Sequence, residues 1–494
     1  MIPLRPDQER LSRRDRVRRV VETDETAAEP PRRAWLVPVC TSVAFGVLAI
    51  RFYAIAFTSF SYDEATYVEL ARHPWHSSYY PDAFFARHPP LAFLVLGLWT
   101  NLFGEAEWVA RFPGFILSLL AVAQVGKTAR RFESEAWAVT APLLLASSFI
   151  VLSYGVQATL YPLAFYLAAR AAEAHLSGDL RREAWALAFL SLTHLFGFVF
   201  LALWAWRYRN DLWRYATAFT LPVAWLAASV LLVIALRPPP GPELGPLWQG
   251  TRLFEWFYQL YADPTSFVLH VVLVVLLLAA LYPILLRDIL PQAKRREPVA
   301  LATVLLLAFF VTGPAFFRFG LVVAPFILAL GAKRVSENRR PLAWTGAIAV
   351  AALVAGSLFL SVGIDPRAQN DVPGLQDWRR AVLVAESGNA TAIGGPAPTA
   401  IAYYLEERHG FRLTGSEQGP DLLPMAHLDG RRVEVRMFRG TEDLDLFEGK
   451  AAIIAVPSAD HATIIAMSEY LPCATVTGLV LLRSPALSST ACPA

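Results

Sequence analysis

The sequence predicts a polytopic α-helical membrane protein of about eleven transmembrane helices, with a large first external loop and a small C-terminal α/β domain. Three observations carry that expectation. The 494 residues are 55% hydrophobic and only 17% charged, far from the balance of a soluble globular chain. Long apolar runs recur between residues 35 and 363, and clusters of lysine and arginine separate them. Charge is also segregated. From residue 364 onward there are 16 acidic against 11 basic side chains, a net −5, which leaves +8 for everything before it. Basic loops on one side of a membrane and a solvated domain on the other account for that asymmetry.

Residues 1–33 are polar and Arg-rich, with "RRDRVRR" at 13–19 and Arg32–Arg33 beside the first apolar run. No short apolar core with a small-residue cleavage site occurs there, so the segment reads as a disordered cytoplasmic tail. Residues 34–363 form the membrane domain and 364–494 a soluble extracytoplasmic domain. The first span is 35–57, and further runs lie at roughly 108–127, 136–154, 158–175, 183–207, 214–236, 265–287, 299–313, 319–332 and 341–363. Basic clusters at Lys127/Arg130/Arg131, Arg181/Arg182, Arg207/Arg209/Arg214, Arg287/Lys294/Arg295/Arg296 and Lys333/Arg334/Arg339/Arg340 all belong in the cytoplasm by the positive-inside rule.

Two segments are then read against their hydropathy. The run 89–103, "PPLAFLVLGLWTNLF", is about half the length a span needs. Were it to cross, every later basic loop would face outward, so it reads as an interfacial or re-entrant helix. The run 183–207 begins and ends at basic clusters, so it crosses an even number of times and reads as two short helices turning near His194. The N-terminus is then inside and the C-terminus outside. The external segments are 58–107, which holds interfacial helices, 237–264, 314–319 and 364–494. In the last, "TAIGG" (391–395) and "AAIIAV" (451–456) read as strands, and "DWRRAVLVAESG" (377–388) and "PTAIAYYLEERHG" (398–410) as helices ending at glycine. There is no internal repeat and no low-complexity segment beyond "PPPGPELGP" at 238–246. Cys40 lies in the first span; Cys473 and Cys492 lie in the C-terminal domain, and the sequence leaves open whether they pair.

Candidate chemistry gathers in the outer segments. "SYDEATYVELARH" at 61–73 follows the first span and carries a capping box, with Ser61 at the N-cap and Glu64 at N3 of a helix over 62–72. That explains Glu64 as an anchor. Asp63, at N2, has no capping duty; first-turn acids also complement the helix dipole, so a structural reading stands beside a chemical one. The same loop holds His73, His76, Asp82, Arg87 and His88 among many aromatics, including Tyr67 and Trp75. Such a mixture suits a polar group carried on a lipid, or an amphipathic loop at headgroup level. The histidine spacing matches no strong metal motif. "FFRFG" at 316–320 sets Arg318 in a short external turn, where its planar fork suits a phosphate or pyrophosphate, or an ordinary lipid headgroup. "SLTHLFG" (191–197) and "SYGVQATLYP" (153–162) place His194, Gln157 and Tyr161 at further outer turns, where packing hydrogen bonds are the plainer reading.

In order, these pieces resemble the GT-C glycosyltransferases, specifically the protein O-mannosyltransferase-like superfamily that includes bacterial family 39 enzymes and aminoarabinose transferases. The matching stretches are "DEATYVELAR", "RHPPLAFLVLGLWTNLFG", "EWVARFPGFILSL", "SYGVQATLYPL", "THLFGFVFL" and "FRFGLVVAPF", from residue 35 to about 335. Two positions depart from the pattern. The arginine of the 153–162 turn is replaced around Thr159–Leu160, and His88 and Arg87 stand where relatives carry lysine and a carboxylate. The resemblance implies a GT-C fold and a sugar donor linked to a polyprenyl phosphate. It implies an acceptor that is a lipid, polysaccharide or protein, and a hexosyl or pentosyl transfer at the outer face of the plasma membrane. It gives Asp63 the role of catalytic base, with Glu64 beside it. Arg318, Arg87 and His88 would hold the donor phosphate, and Tyr67, His194, Gln157 and Tyr161 would contact substrate. A divalent cation is compatible but not demanded, and no nucleic acid is involved. A transporter or flippase, the alternative, would share the many spans and intramembrane arginines but should show internal repeats and charges near the midplane; there is no repeat, and the candidate polar groups lie in outer loops. A non-catalytic subunit that binds cell-wall material is the third class. Sugar, acceptor and oligomeric state are not legible.

Overall fold

The computed structural model describes residues 36–72, 89–131, 135–236, 290–294, 297–312, 321–328, 377–395, 400, 401, 403, 404, 422–428, 431–437, 444, 447, 450–457, 465, 469–476 and 479–487. The tail 1–33, residues 73–88 with His73, His76, Asp82, Arg87 and His88, the loop 237–264, the runs 265–287 and 341–363, the Arg318 turn and Cys492 lie outside the described residues.

The first span is α1 (Leu36–Ala56), and α2 (Tyr62–Arg72) follows after a tight turn. Helix α3 (Leu91–Phe103) has 13 residues, about 20 Å of rise, too short to cross a bilayer core of about 30 Å. Its apolar residues divide between two faces. Ala92, Phe93, Leu96, Gly97 and Thr100 are buried against the protein, while Leu94, Leu98 and Leu102 are more than half exposed. A Cβ added at Gly97 would lie 2.4 Å from the Ala71 carbonyl oxygen, so glycine is what lets α3 approach α2 this closely. Helix α4 (Glu107–Arg131) then runs 25 residues. Among the described residues, Pro38–Ala56 and Glu107–Arg130 are long and apolar enough to cross a membrane, by length and composition.

The run 136–154, read as one helix from the sequence, is two: α5 (Glu135–Ser147) and α6 (Phe149–Tyr154). Ser148 breaks it. Its hydroxyl accepts from Val151 N–H and donates to Leu145 O, so it caps a new helix instead of continuing the old one. Helix α7 (Tyr161–Ser177) starts with Pro162 in its first turn and ends at Gly178, which is left-handed at φ 68° and returns its N–H to Ala174 and His175 carbonyls. Asp179 caps α8 (Leu180–Ser191), its Oδ1 accepting from Arg182 N–H. The break expected near His194 is present: α8 ends at Ser191 and α9 (Phe196–Arg207) begins after the turn. A short 3-10 segment (Arg209–Tyr215) leads into α10 (Ala216–Leu236). Helices α11 (Leu290–Lys294) and α12 (Pro298–Thr312) follow, and residues 321–328 are helical.

Toward the C-terminus, α13 (Trp378–Ser387) precedes a six-stranded mixed sheet of β1 (Ala392–Gly395), β2 (Leu422–Leu428), β3 (Arg431–Met437), β4 (Ala452–Pro457), β5 (Leu471–Val476) and β6 (Leu479–Arg483). The strand order is β2-β3-β1-β4-β6-β5, with β1 parallel to both β3 and β4 and the outer pairs antiparallel. Both strands expected from the sequence, β1 and β4, occupy the buried centre. Cys473 in β5 is disulfide-bonded and Cys40 is free. One apolar cluster runs from Ala44 and Leu48 through Val68 and Phe93 into Trp378, Ile401 and Leu481, so the sheet shares a core with α1–α3. A second cluster joins α7, α8, α9, α12 and residues 321–328.

Candidate active site

The turn between α1 and α2 is built around one arginine. Ser61 and Glu64 form the expected capping box: Ser61 N–H donates to Glu64 Oε2 at 3.0 Å and Glu64 N–H to Ser61 Oγ at 3.4 Å. Across from it, Arg111 of α4 donates from Nε and Nη2 to the two Glu64 oxygens, each at 2.7 Å. Its other N–H groups reach the carbonyls of Ile55, Thr58 (2.9 Å) and Ser59 (2.9 Å). All five guanidinium donors are therefore used, three of them on carbonyls at and just beyond the C-terminal end of α1. Both side chains of the pair are 0% exposed. Glu64 Oε1 also accepts from Ala158 N–H at 3.1 Å, which ties the 155–160 turn to the same carboxylate. Burial by itself would raise the Glu64 pKa. The Arg111 charge and the hydrogen bonds from Arg111, Ser61 and Ala158 outweigh it and hold the carboxyl below its ordinary value.

The C-terminal region also meets this turn. Phe60 N–H donates to Tyr404 Oη at 2.6 Å, and Tyr404 donates to Glu107 Oε1 at 3.1 Å. Arg379 pairs with Glu107 and lies over the Tyr404 ring, 5.4 Å from its centroid. Ser59 Oγ donates to Asp377 Oδ1 and accepts from Arg379 N–H. Burial, reinforced by the Glu107 charge, pushes the Tyr404 phenol well up, so it remains a protonated donor. Phe60 also packs edge-on against Tyr403.

Asp63 sits beside this buried knot on the first turn of α2 and is partly exposed. Glu64, expected as the capping-box anchor beside Asp63 with a secondary catalytic role, is enclosed with four donors on its oxygens. Its observed part is that of an anchor. Tyr67 is buried and stacks on Phe93 of α3, centroids 5.1 Å apart. Gln157, Tyr161 and His194 are buried too, and Tyr161 joins Tyr154 and His194 in an aromatic row. Leu91 N–H donates to Leu192 O at 2.9 Å, which joins the start of α3 to the His194 turn. A Cβ at Gly114 would stand 2.6 Å from Gln157 O, so the 155–160 turn lies directly on α4. Hydrogen bonds thus link the 155–160 turn to Glu64, and the start of α3 to the His194 turn. The placement of Arg318, Arg87 and His88 lies outside the described residues. Among the described residues no three of His, Cys, Asp and Glu stand together in a way that could hold a metal ion.

Solved structures with a similar fold exist. The structure of ArnT from Cupriavidus metallidurans in the apo state aligns with 93% of this chain and 99% of its own, at 13% identity and a TM-score of 0.50. The same protein bound to undecaprenyl phosphate aligns with 92% of this chain and 98% of its own, at 15% identity and a TM-score of 0.50. The sequence model of the dolichyl-phosphate-mannose-protein mannosyltransferase family matches residues 87–239. The chain has the GT-C glycosyltransferase fold. No curated protein matches it. The family match takes in the GT-C stretches from "RHPPL" to "THLFG" and begins after Asp63 and Glu64.

Reading the sequence of this GT-C chain missed Arg111 and Glu107 as functional residues, although both stand in "EWVARFPGFILSL". A signal was present. An arginine within an apolar helix needs a carboxylate or carbonyl partner, and Glu64 was already assigned to a nearby turn. Tyr404 gave no such signal, since its partner Phe60 is 344 positions away.

Proposed function

We propose that this GT-C protein transfers a sugar from a polyprenyl-phosphate donor to an acceptor hydroxyl at the outer face of the membrane, with inversion at the anomeric carbon. The observation that carries the reading is the mounting of Asp63. It stands on the first turn of α2, partly exposed, immediately before a carboxylate locked by Arg111. A base must hold its position within a few tenths of an ångström to take a proton in a displacement, and a buried, fully hydrogen-bonded neighbour supplies that rigidity. In the step itself the acceptor oxygen forms the new bond to the anomeric carbon and Asp63 takes the hydroxyl proton. The carbon–oxygen bond to the lipid phosphate breaks, and its electron pair leaves with the phosphate. Arg318, with Arg87 and His88, neutralises that leaving group. Tyr67, Gln157, Tyr161 and His194 shape the wall around the sugar. If a divalent cation takes part, it would add charge at the phosphate. The undecaprenyl phosphate held by the ArnT structure supports a lipid-phosphate donor.

The test is Asp63→Asn in membranes supplied with a labelled polyprenyl-phosphate sugar. Transfer is expected to fall by about a hundredfold or more at an unchanged protein level. An undiminished rate would remove Asp63 from the chemistry.

A further inference from the structure

At the far end of the α7–α8 hairpin from the His194 turn lies a cleft of about 530 Å³, lined by Tyr166, Arg170, Arg181, Arg182, Trp185 and Phe189, among others. None of the residues lining it is among the candidate residues of the transfer reaction. Three arginines meet one aspartate among its lining residues, Asp179, which pairs with Arg182 at 3.2 Å in an exposed contact. Arg170 reaches Gln124 Oε1 at 3.2 Å and comes within 4.0 Å of Glu173. Arg181 has no carboxylate partner among the described residues. Arg181 and Arg182 also stand in the first turn of α8, where positive side chains oppose the helix dipole, so the folding of the helix does not explain them. The positive-inside rule asks for basic residues near this loop. It does not ask that they converge on a cleft.

The apolar half of the cleft has a direction. Trp185 and Phe189 lie three and seven residues beyond Arg182 on α8, stacked with centroids 5.7 Å apart, and Tyr166 and Leu167 face them from α7. From the charged tip to Phe189 is about 10 Å along the helix axis. A groove that is cationic at the loop end and aromatic toward the bilayer interior matches one chemistry, a phosphate diester attached to an acyl chain. Arg170 lies deeper on α7, and its long side chain can snorkel toward the same headgroup.

We propose that this cleft is a binding site for an anionic phospholipid, with its phosphate between Arg181, Arg182 and Arg170 and an acyl chain along Trp185 and Phe189. The test uses the full chain purified in detergent, delipidated and offered phosphatidylglycerol or phosphatidylcholine of the same chain length, with adducts counted by native mass spectrometry. Phosphatidylglycerol is expected to bind about tenfold more tightly, and R181Q/R182Q, whose side chains are exposed, should abolish the preference. Should the double variant fail to fold, Arg181→Gln alone is expected to weaken the preference about threefold. Equal binding of the two lipids, or a preference unchanged in the variants, would overturn the proposal. Displacement of the lipid by millimolar inorganic phosphate would also overturn it, because the site would then be one for a free anion. The readout does not depend on sugar transfer.

Discussion

Arg111 and Glu64 show how much one buried pair can organise. Removing one partner strands the other charge without solvent, a cost of about 3–5 kcal/mol. Glu64→Ala is therefore expected to lower the melting temperature of the detergent-solubilised protein sharply, whereas Asp63→Asn should leave it near wild type. That contrast separates anchor from chemistry at adjacent positions. Arg111 also serves three carbonyls, so replacing both members of the pair by apolar residues should recover only part of the loss. The pH dependence follows from the direction of the Glu64 shift. Its folded pKa lies below the unfolded value near 4.5, so its contribution is complete above that value and disappears as pH falls through the folded one. Melting measured from pH 6 to 3 should show this decline in the wild type and a flatter course in Glu64→Gln. The sequence already assigned the Ser61–Glu64 box, because capping is a local rule. It did not supply Arg111, 47 positions away, because nothing local records a contact across the bundle.

At the scale of elements, the basic clusters at the two ends of the run 183–207 pointed to a break that its hydropathy does not show, and α8 and α9 are separate helices on either side of His194. The shortness of α3 was legible from the length of its apolar run. The break at Ser148 was not, because serine is tolerated inside apolar helices and only its hydrogen bonds reveal a cap. The α2–α3 contact makes its own prediction. Gly97→Val would press a side chain into the Ala71 carbonyl, so α3 must shift away from α2. Faster limited proteolysis between the two helices, with a loss of about 1–3 kcal/mol in stability, is the expected result.

Over the whole molecule, the C-terminal sheet packs on the first helices of the chain. Its core is continuous with that of α1–α3, and Asp377 and Arg379 at the start of α13, with Tyr404, bind Ser59, Phe60 and Glu107. The sequence announced a solvated α/β unit through its charge and two strands, but held no sign of where that unit docks. Tyr404→Phe removes the acceptor from the Phe60 amide and a donor from Glu107, at a cost of about 1–3 kcal/mol. Faster hydrogen exchange at the Phe60 amide is the measurement that reads it directly.

The turn that carries Asp63 is assembled from distant stretches of chain, and protein synthesis delivers them one at a time. Arg111 emerges 47 residues after Glu64, Ala158 another turn of the bundle later, and Tyr404 344 residues after Phe60. At a synthesis rate of about 5–20 residues per second, tens of seconds separate the first member of this knot from the last. Over that interval the Phe60 amide waits for its final partner while the intervening helices are already being inserted. A ribosome that stops before residue 404 leaves the Asp63 turn without its Tyr404 contact, so completion of the seat is tied to synthesis of the C-terminal region.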